Sequence, residues 1–257
     1  MKLTKITANL DLYPEDIRKL IEASPIFDSS SSPEAMVLFI DKDEGYFLKS
    51  AEKGALTNEA ELGQYFYKKD LAPEILLYSS LEKDFLLTRK ARGADATDKR
   101  YLEEPKRLAA KMGEVLRYLH ELDFDNCPVK DRMKSYFELA ETNAGKDKYD
   151  LSFGDFQTKE EALAAMREGK KILKCDTLIH GDFCLPNIIF DDWNFSSFID
   201  LGGGGVGDRH VDIFWGAWTL NFNLKTDAYR DIFFDAYGKE HINPEALASV
   251  SAAEIFG

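Results

Sequence analysis

The segment LIHGDFCLPNIIFDDWNFSSFID, residues 178–200, concentrates the groups best suited to chemistry. Asp182 and Asn187 stand in the pattern H-G-D-x-x-x-x-N, and Asp200 closes the apolar run that follows. A carboxylate beside a glycine turn can accept the proton of an attacking hydroxyl. A carboxamide oxygen and a second carboxylate are hard ligands for Mg²⁺. Phosphoryl transfer needs these parts: one positioned base, and oxygen ligands for the cations that neutralise phosphate charge. Singly, Asp182 reads as a turn residue and Asn187 as a cap. The spacing, the flanking apolar runs and the third side chain together select the catalytic reading.

A cation is expected from Lys49, at the end of the run Tyr46-Phe47-Leu48-Lys49, where it would reach the α and β phosphates of a nucleotide. Glu59, on the helix that follows, is placed to hold Lys49 by an ion pair, with Glu61 as the alternative partner. Out of context, Lys49 is a solvated charge on a half-exposed strand. No G-x-G-x-x-G loop precedes it. The serine run before Pro33 is read as a phosphate cradle instead, through hydroxyls and backbone N–H groups at Ser31 and Ser32, with a mobile linker as the equal alternative.

The elements that must position these groups follow from periodicity. Residues 14–23 read as a short helix with Pro at its first turn, and 28–33 as a loop. Residues 36–40 and 46–49 form a hairpin around Gly45. Residues 58–69 read as a helix capped by Asn58 or Thr57, and 75–78 and 85–88 as two more strands. Beyond the polar break at 89–98 the pattern turns helical: 103–121, 133–142 and 159–168, then 212–221, 227–237 and 244–256. Within it, 177–190 and 198–201 read as strands joined by a turn at 191–194. The fold class is therefore α+β and bilobal, protein-kinase-like: residues 1–88 a β-rich N-lobe, 89–98 a hinge, 99–257 a helical C-lobe carrying the catalytic and metal-binding loops.

Composition narrows the partners. Lys and Arg number 33 against 46 Asp and Glu, a formal charge of −13, which argues against nucleic acid and would draw a polycationic small molecule toward a carboxylate-lined cleft. The three cysteines, Cys127, Cys175 and Cys184, include no C-x-x-C pair and point to reduced thiols in a cytoplasm. No apolar leader and no run long enough to span a membrane is present, so no membrane partner is expected. There is no Walker loop, no G-x-S-x-G elbow and no H-E-x-x-H pair. His180 reads as a residue orienting the catalytic loop, since no second Cys/His pair completes a zinc site with it. Trp193, Trp215 and Trp218 read as core or cleft aromatics. No pattern assigns an oligomeric state.

The sequence resembles the aminoglycoside phosphotransferases, and most of all the 3′-phosphotransferases, along nearly its whole length. The resemblance rests on Tyr46–Lys49, on Leu119-His120 with Cys127-Pro128, on His180–Asn187, on Phe198–Gly202, and on the run Gly205-Val206-Gly207-Asp208-Arg209-His210-Val211-Asp212-Ile213. It implies a kinase-like fold, ATP (GTP in some members) and two Mg²⁺. Asp182 would be the base, Asn187 and Asp200 the metal ligands, Lys49 the phosphate contact, and backbone groups near Arg89 and Ala91 the adenine site. The chain departs from the family in three places. Gly203 stands where an arginine is usual, inside a flexible run of four glycines that brings no positive charge. Trp218 replaces another arginine. Arg89, Lys90 and Arg92 stand where acids are common. The family's D-E-L-F-like end is partly kept, as Ala253-Glu254-Ile255-Phe256-Gly257. Asp150, Asp155, Glu160, Glu161 and Glu254, with Phe256, are the candidate contacts for substrate amines. For each acid the plain alternative is a solvated helix face.

The expected activity is transfer of the γ-phosphoryl group of ATP to a hydroxyl of a small molecule, an aminoglycoside 3′-hydroxyl first among them, giving antibiotic resistance. A kinase for choline, a sugar or a macrolide, and a catalytically weak nucleotide-binding homologue, are the alternatives.

Overall fold

The computed structural model describes residues 3–7, 9–22, 24–30 and 35–257. In chain order the elements are β1 (Thr4–Ile6), α1 (Glu15–Ile21), β2 (Ile26–Asp28), β3 (Ala35–Ile40), β4 (Tyr46–Glu52), α2 (Thr57–Tyr67), β5 (Ile75–Ser80), β6 (Lys83–Arg89) and β7 (Ala94–Asp95). There follow α3 (Lys99–Leu102), α4 (Pro105–Glu121), α5 (Arg132–Gly145), α6 (Lys159–Gly169), β8 (Thr177–Ile179), β9 (Ile188–Asp191), β10 (Asn194–Phe198), β11 (Gly205–Gly207), α7 (His210–Leu224), α8 (Arg230–Tyr237) and α9 (Pro244–Glu254). The chain divides into two compact units, Met1–Asp95 with Ile189–Gly202, and Ala96–Ile188 with Gly203–Gly257.

The first unit is built on a six-stranded sheet ordered β1-β2-β3-β4-β6-β5. Its strand pairs are antiparallel, with Lys49 of β4 opposite Leu86 of β6. Side chains alternate between faces along a strand. Tyr46, Leu48, Phe85 and Leu87 therefore share one face, where they bury against Tyr13, Ile17 and Ile21. Ala51 and Leu86 share the other, packed with Leu56 and Ala60 at the start of α2. Fully burying a side chain such as Leu48 contributes roughly 1.5–3 kcal/mol of transfer free energy. The same alternation puts Lys49 on the α2 side, in step with Ala51. Residues 189–202 belong to this unit by contact, and Phe198 N–H donates to the Leu71 carbonyl at 2.7 Å.

The second unit is mostly helical. Leu108, Met112, Val115, Leu116 and Leu119 form the buried stripe of α4, as their spacing predicts. A second core joins α5, α6 and α9 through Phe137, Ala162, Met166, Val250 and Phe256. The short strands β8 and β11 pair antiparallel, Leu178 opposite Val206.

Several expectations are corrected. Strands β1 and β2 have no counterpart among the expected strands, both being only three residues long and too short to show a period; β2 reaches the loop expected at 28–33 only at Asp28. The strand expected at 198–201 lies earlier, at Asn194–Phe198, because the turn residues Asp192 and Trp193 reverse the chain with φ of 47° and 68°. Asp200 thus follows the strand rather than ending it. Helix α2 is capped by neither Thr57 nor Asn58: its N-cap is Leu56, whose N–H donates to buried Asp84 at 2.9 Å. The glycine run is not an irregular loop: Leu201–Gly203 forms a 3-10 turn and Gly205–Gly207 a strand.

Candidate active site

In the first unit Lys49, Glu59 and Asp200 come together. Lys49 Nζ donates to Glu59 Oε2 at 2.7 Å and to Asp200 Oδ1 at 2.8 Å. The Lys49 and Glu59 side chains are only 19% and 13% exposed, whereas Asp200 is 51% exposed; Glu59 is the holder, and Asp200 faces solvent. Burial alone would push the Lys49 ammonium down, but the charges and hydrogen bonds of Glu59 and Asp200 outweigh it and hold its pKa above the ordinary value. For Glu59, burial pushes the carboxyl up, Lys49 pulls it down, and Asp200 adds repulsion; the net direction is up. Asp200 sits at φ 60°, an uncommon backbone setting for a residue with a side chain. Glu61, the alternative partner for Lys49, is exposed on α2.

In the second unit Asp182 and Asn187 come together. Asn187 is buried, and its Nδ2 donates to Asp182 Oδ2 at 2.8 Å and to the Asp182 carbonyl at 3.0 Å. Asp182 itself is half-buried. The loop between β8 and β9 gets its shape from Gly181, at φ 83°, whose Cα lies against the Gly203 carbonyl so closely that a side chain would overlap it. Among the described residues no hydrogen bond reaches the Asn187 carboxamide oxygen in this unit or Asp200 Oδ2 in the first, and each is a hard donor of the kind Mg²⁺ takes. Among the described residues no group of three or more His, Cys, Asp or Glu side chains is poised around a metal position.

Asp212 is a candidate positioning residue that the sequence reading left without a role. It is fully buried at the first turn of α7. Its Oδ2 accepts from His180 N–H and its Oδ1 from Gly181 N–H, each at 2.7 Å, so one carboxylate pins the loop that presents Asp182. His120 Nε2 lies 3.1 Å from Asp212 Oδ2, and His120 Nδ1 lies 2.9 Å from the Tyr237 hydroxyl. Burial pushes the His120 pKa down against the pull of Asp212, which keeps the ring neutral, with Nε2–H donating to Asp212. The signal was present in Leu119-His120 and in the D-R-x-x-D run, whose two ends only the fold joins.

Of the candidate substrate contacts, Glu254 is the buried one. Its Oε1 accepts from the Tyr136 hydroxyl at 2.8 Å and from Trp215 Nε1 at 3.1 Å. Burial lifts its pKa to about 7; the two hydrogen bonds and Arg132 oppose the rise, and Asp182 adds to it. Asp150 caps a short 3-10 turn by accepting from Ser152 N–H, and its own N–H donates to the Ile255 carbonyl at 2.8 Å. Asp155, Glu160 and Glu161 are exposed, with Glu161 accepting from Gln157 N–H. The Phe256 ring is fully buried in the core, so packing, not ligand contact, accounts for it. Trp218 stacks on Phe222 with centroids 4.9 Å apart and tilts on Phe153 at 5.7 Å. Arg89 ends β6, stacks over Tyr46 and pairs with Glu74 at 2.5 Å, while Arg92 pairs with Asp191 at 2.8 Å. These cations thus have carboxylates of their own. Ala91 is half-buried, and Ser31 and Ser32 lie outside the described residues.

The family model described as "Phosphotransferase enzyme family" (APH) matches residues 27–250. The chain belongs to this family. Along 99% of its length this APH member is 48% identical to a probable aminoglycoside 3′-phosphotransferase of Lactococcus lactis subsp. lactis, 99% of which is covered. An aminoglycoside 3′-phosphotransferase of Niallia circulans is 29% identical over 173 residues, 64% of each chain. The crystal structure of a type VIII aminoglycoside-3′-phosphotransferase matches with a TM-score of 0.71 at 22% identity, covering 99% of this chain and 94% of that one. A Streptomyces rimosus aminoglycoside phosphotransferase in complex with ADP and streptomycin matches with a TM-score of 0.71 at 20% identity, covering 86% and 90%. The fold is that of these kinase-like enzymes, and the α+β reading stands. No helix among the described residues is long and apolar enough to cross a membrane.

Proposed function

We propose that this APH-family phosphotransferase moves the γ-phosphoryl group of ATP, or GTP, to the 3′-hydroxyl of an aminoglycoside antibiotic. The observation that carries the reading is the Asp182 carboxylate, half-buried and held by Asn187 at 2.8 Å on a loop pinned by Asp212. The relatives that share this chain's length support the substrate class. In the reaction the substrate oxygen bonds to the γ-phosphorus, the bond from that phosphorus to the bridging oxygen breaks, ADP leaves, and the hydroxyl proton passes to Asp182 Oδ.

Lys49, fixed by Glu59, meets the nucleotide phosphates, and backbone groups around Arg89 and Ala91 meet the base. Ser31 and Ser32 are assigned to the phosphates on sequence grounds alone. Asn187 and Asp200 would hold Mg²⁺, whose charge offsets that of the phosphates. Glu254 takes a substrate ammonium on its second oxygen, with Asp150, Asp155 and Glu160 as outer carboxylates for further amines. Phe256 acts by anchoring the chain end that carries Glu254. The proposal includes a cytoplasmic location, where ATP is supplied. The test is ADP release with a panel of aminoglycosides, choline, sugars and a macrolide. Turnover confined to aminoglycosides supports the reading, and turnover with another class alone replaces it.

A further inference from the structure

Residues 203 and 204 lie directly on the backbone that leads into Asp182. A Cβ on Gly204 would stand 2.8 Å from the Ile179 carbonyl and 2.9 Å from that of His180, and one on Gly203 would stand 3.1 Å from the Gly181 carbonyl. The glycines are there because two main chains touch. Glycine carries the largest backbone entropy in the unfolded chain, so something must hold this contact closed.

Arg132, the first residue of α5, is the group in place to do so. Its Nε donates to the Gly203 carbonyl at 2.6 Å, the same carbonyl that rests on Gly181. Its Nη1 donates to Ser135 Oγ at 2.7 Å, and that hydroxyl bonds back to the Arg132 carbonyl, so the guanidinium plane is fixed from both sides. Arg132 is half-buried, and no carboxylate lies within ion-pair distance of it among the described residues. Burial draws its pKa down, while Tyr136 and Glu254 act in the opposite direction. An arginine kept partly out of water without an anion of its own is costly unless its position serves something.

We propose that Arg132 is a positioning residue for phosphoryl transfer: it clamps the Gly203 carbonyl onto Gly181, fixing the loop that presents Asp182, and brings to that loop the positive charge that the glycine run lacks. The inference rests on the phosphotransferase reading. A lysine cannot replace the clamp, because a single ammonium does not reproduce the fixed fork that spans Gly203 and Ser135.

Arg132→Ala and Arg132→Lys test it. Misplacement of a reacting group by an ångström costs on the order of 10²-fold in rate, so kcat for both variants is expected to fall by about that factor, with KM for nucleotide within about twofold of wild type. Added methylguanidinium is expected to restore part of the Arg132→Ala rate and none of the Arg132→Lys rate. Amide hydrogen exchange on the ligand-free protein is expected to quicken at 180–182 and 203–205 in Arg132→Ala while α4 stays protected. A wild-type kcat in Arg132→Ala overturns the proposal. So does a rate loss that methylguanidinium leaves untouched and that tracks a general loss of protection. Should the wild type release no ADP with any aminoglycoside, the substrate reading fails alone. The clamp is then judged by exchange, and unchanged exchange at 180–182 overturns it.

Discussion

On the proposed reading, in which Glu254 takes a substrate ammonium, substrate affinity is linked to a single proton. Burial, with repulsion from Asp182, raises its pKa to about 7 in the ligand-free protein, even though Tyr136, Trp215 and Arg132 favour the charged form. Against an ordinary glutamate that is more than two pKa units, so the ionised side chain costs about 3 kcal/mol at neutral pH. The sign is that of a raised carboxyl: its contribution to folding stability is full below the unfolded pKa and is lost as pH rises through 7. A substrate ammonium against Oε2 reverses the preference, so binding expels the proton. Glu254 is about one-tenth ionised at pH 6, about half at pH 7 and about nine-tenths at pH 8. KM for the aminoglycoside should therefore rise about fivefold from pH 7 to pH 6 and fall about twofold from pH 7 to pH 8. Glu254→Gln removes the charge; losing a charge-assisted contact should raise KM about 10- to 100-fold and flatten this part of the profile. The substrate's own amines titrate equally in both assays, so the ratio of the two KM values isolates Glu254. Initial rates of ADP release across that range read it out. Parallel profiles for wild type and Glu254→Gln would refute the reasoning.

Three further outcomes follow from the geometry. Lys49→Met should raise KM for ATP by about 10-fold or more through the lost charged contact, measured under the same assay. It should also lower Tm, because Glu59 is left buried without its cation; Lys49→Met with Glu59→Gln should recover Tm but not activity. His120 is buried and kept neutral, so its stabilising effect is present above the unfolded histidine pKa and is lost as pH falls. Urea unfolding should show the stability gap between wild type and His120→Gln narrowing as pH drops below about 6.5.

Local patterns in the sequence picked out much of the candidate site. Asp182, Asn187 and Asp200 were legible because chemistry and spacing coincide in one short segment. Lys49 and Glu59 were legible because the alternation of β4 and the start of α2 place both on the same side of the sheet. What stayed hidden depends on distant residues meeting. Asp212 reads as one acid in the D-R-x-x-D run; only the fold brings His180, Gly181 and His120 around its carboxylate. The glycine run read as flexible because local sequence cannot show a second backbone lying on it. Phe256 read as a ligand contact by its place at the chain end, but its ring fills the core between α5 and α9. Asp84, unassigned between the two strands expected at 75–78 and 85–88, takes the N–H of the α2 N-cap in place of Thr57 or Asn58.

The central claim is that Asp182 takes the proton of an aminoglycoside 3′-hydroxyl. The most direct measurement compares wild type and Asp182→Ala with two aminoglycosides, one carrying and one lacking that hydroxyl, following phosphorylated product by mass and nucleotide binding by calorimetry. The account predicts product only from the hydroxyl-bearing compound, with kcat for Asp182→Ala lower by about 10²–10⁴-fold and nucleotide affinity kept. Near-wild-type turnover in Asp182→Ala, or equal product from the compound lacking the hydroxyl, would contradict it.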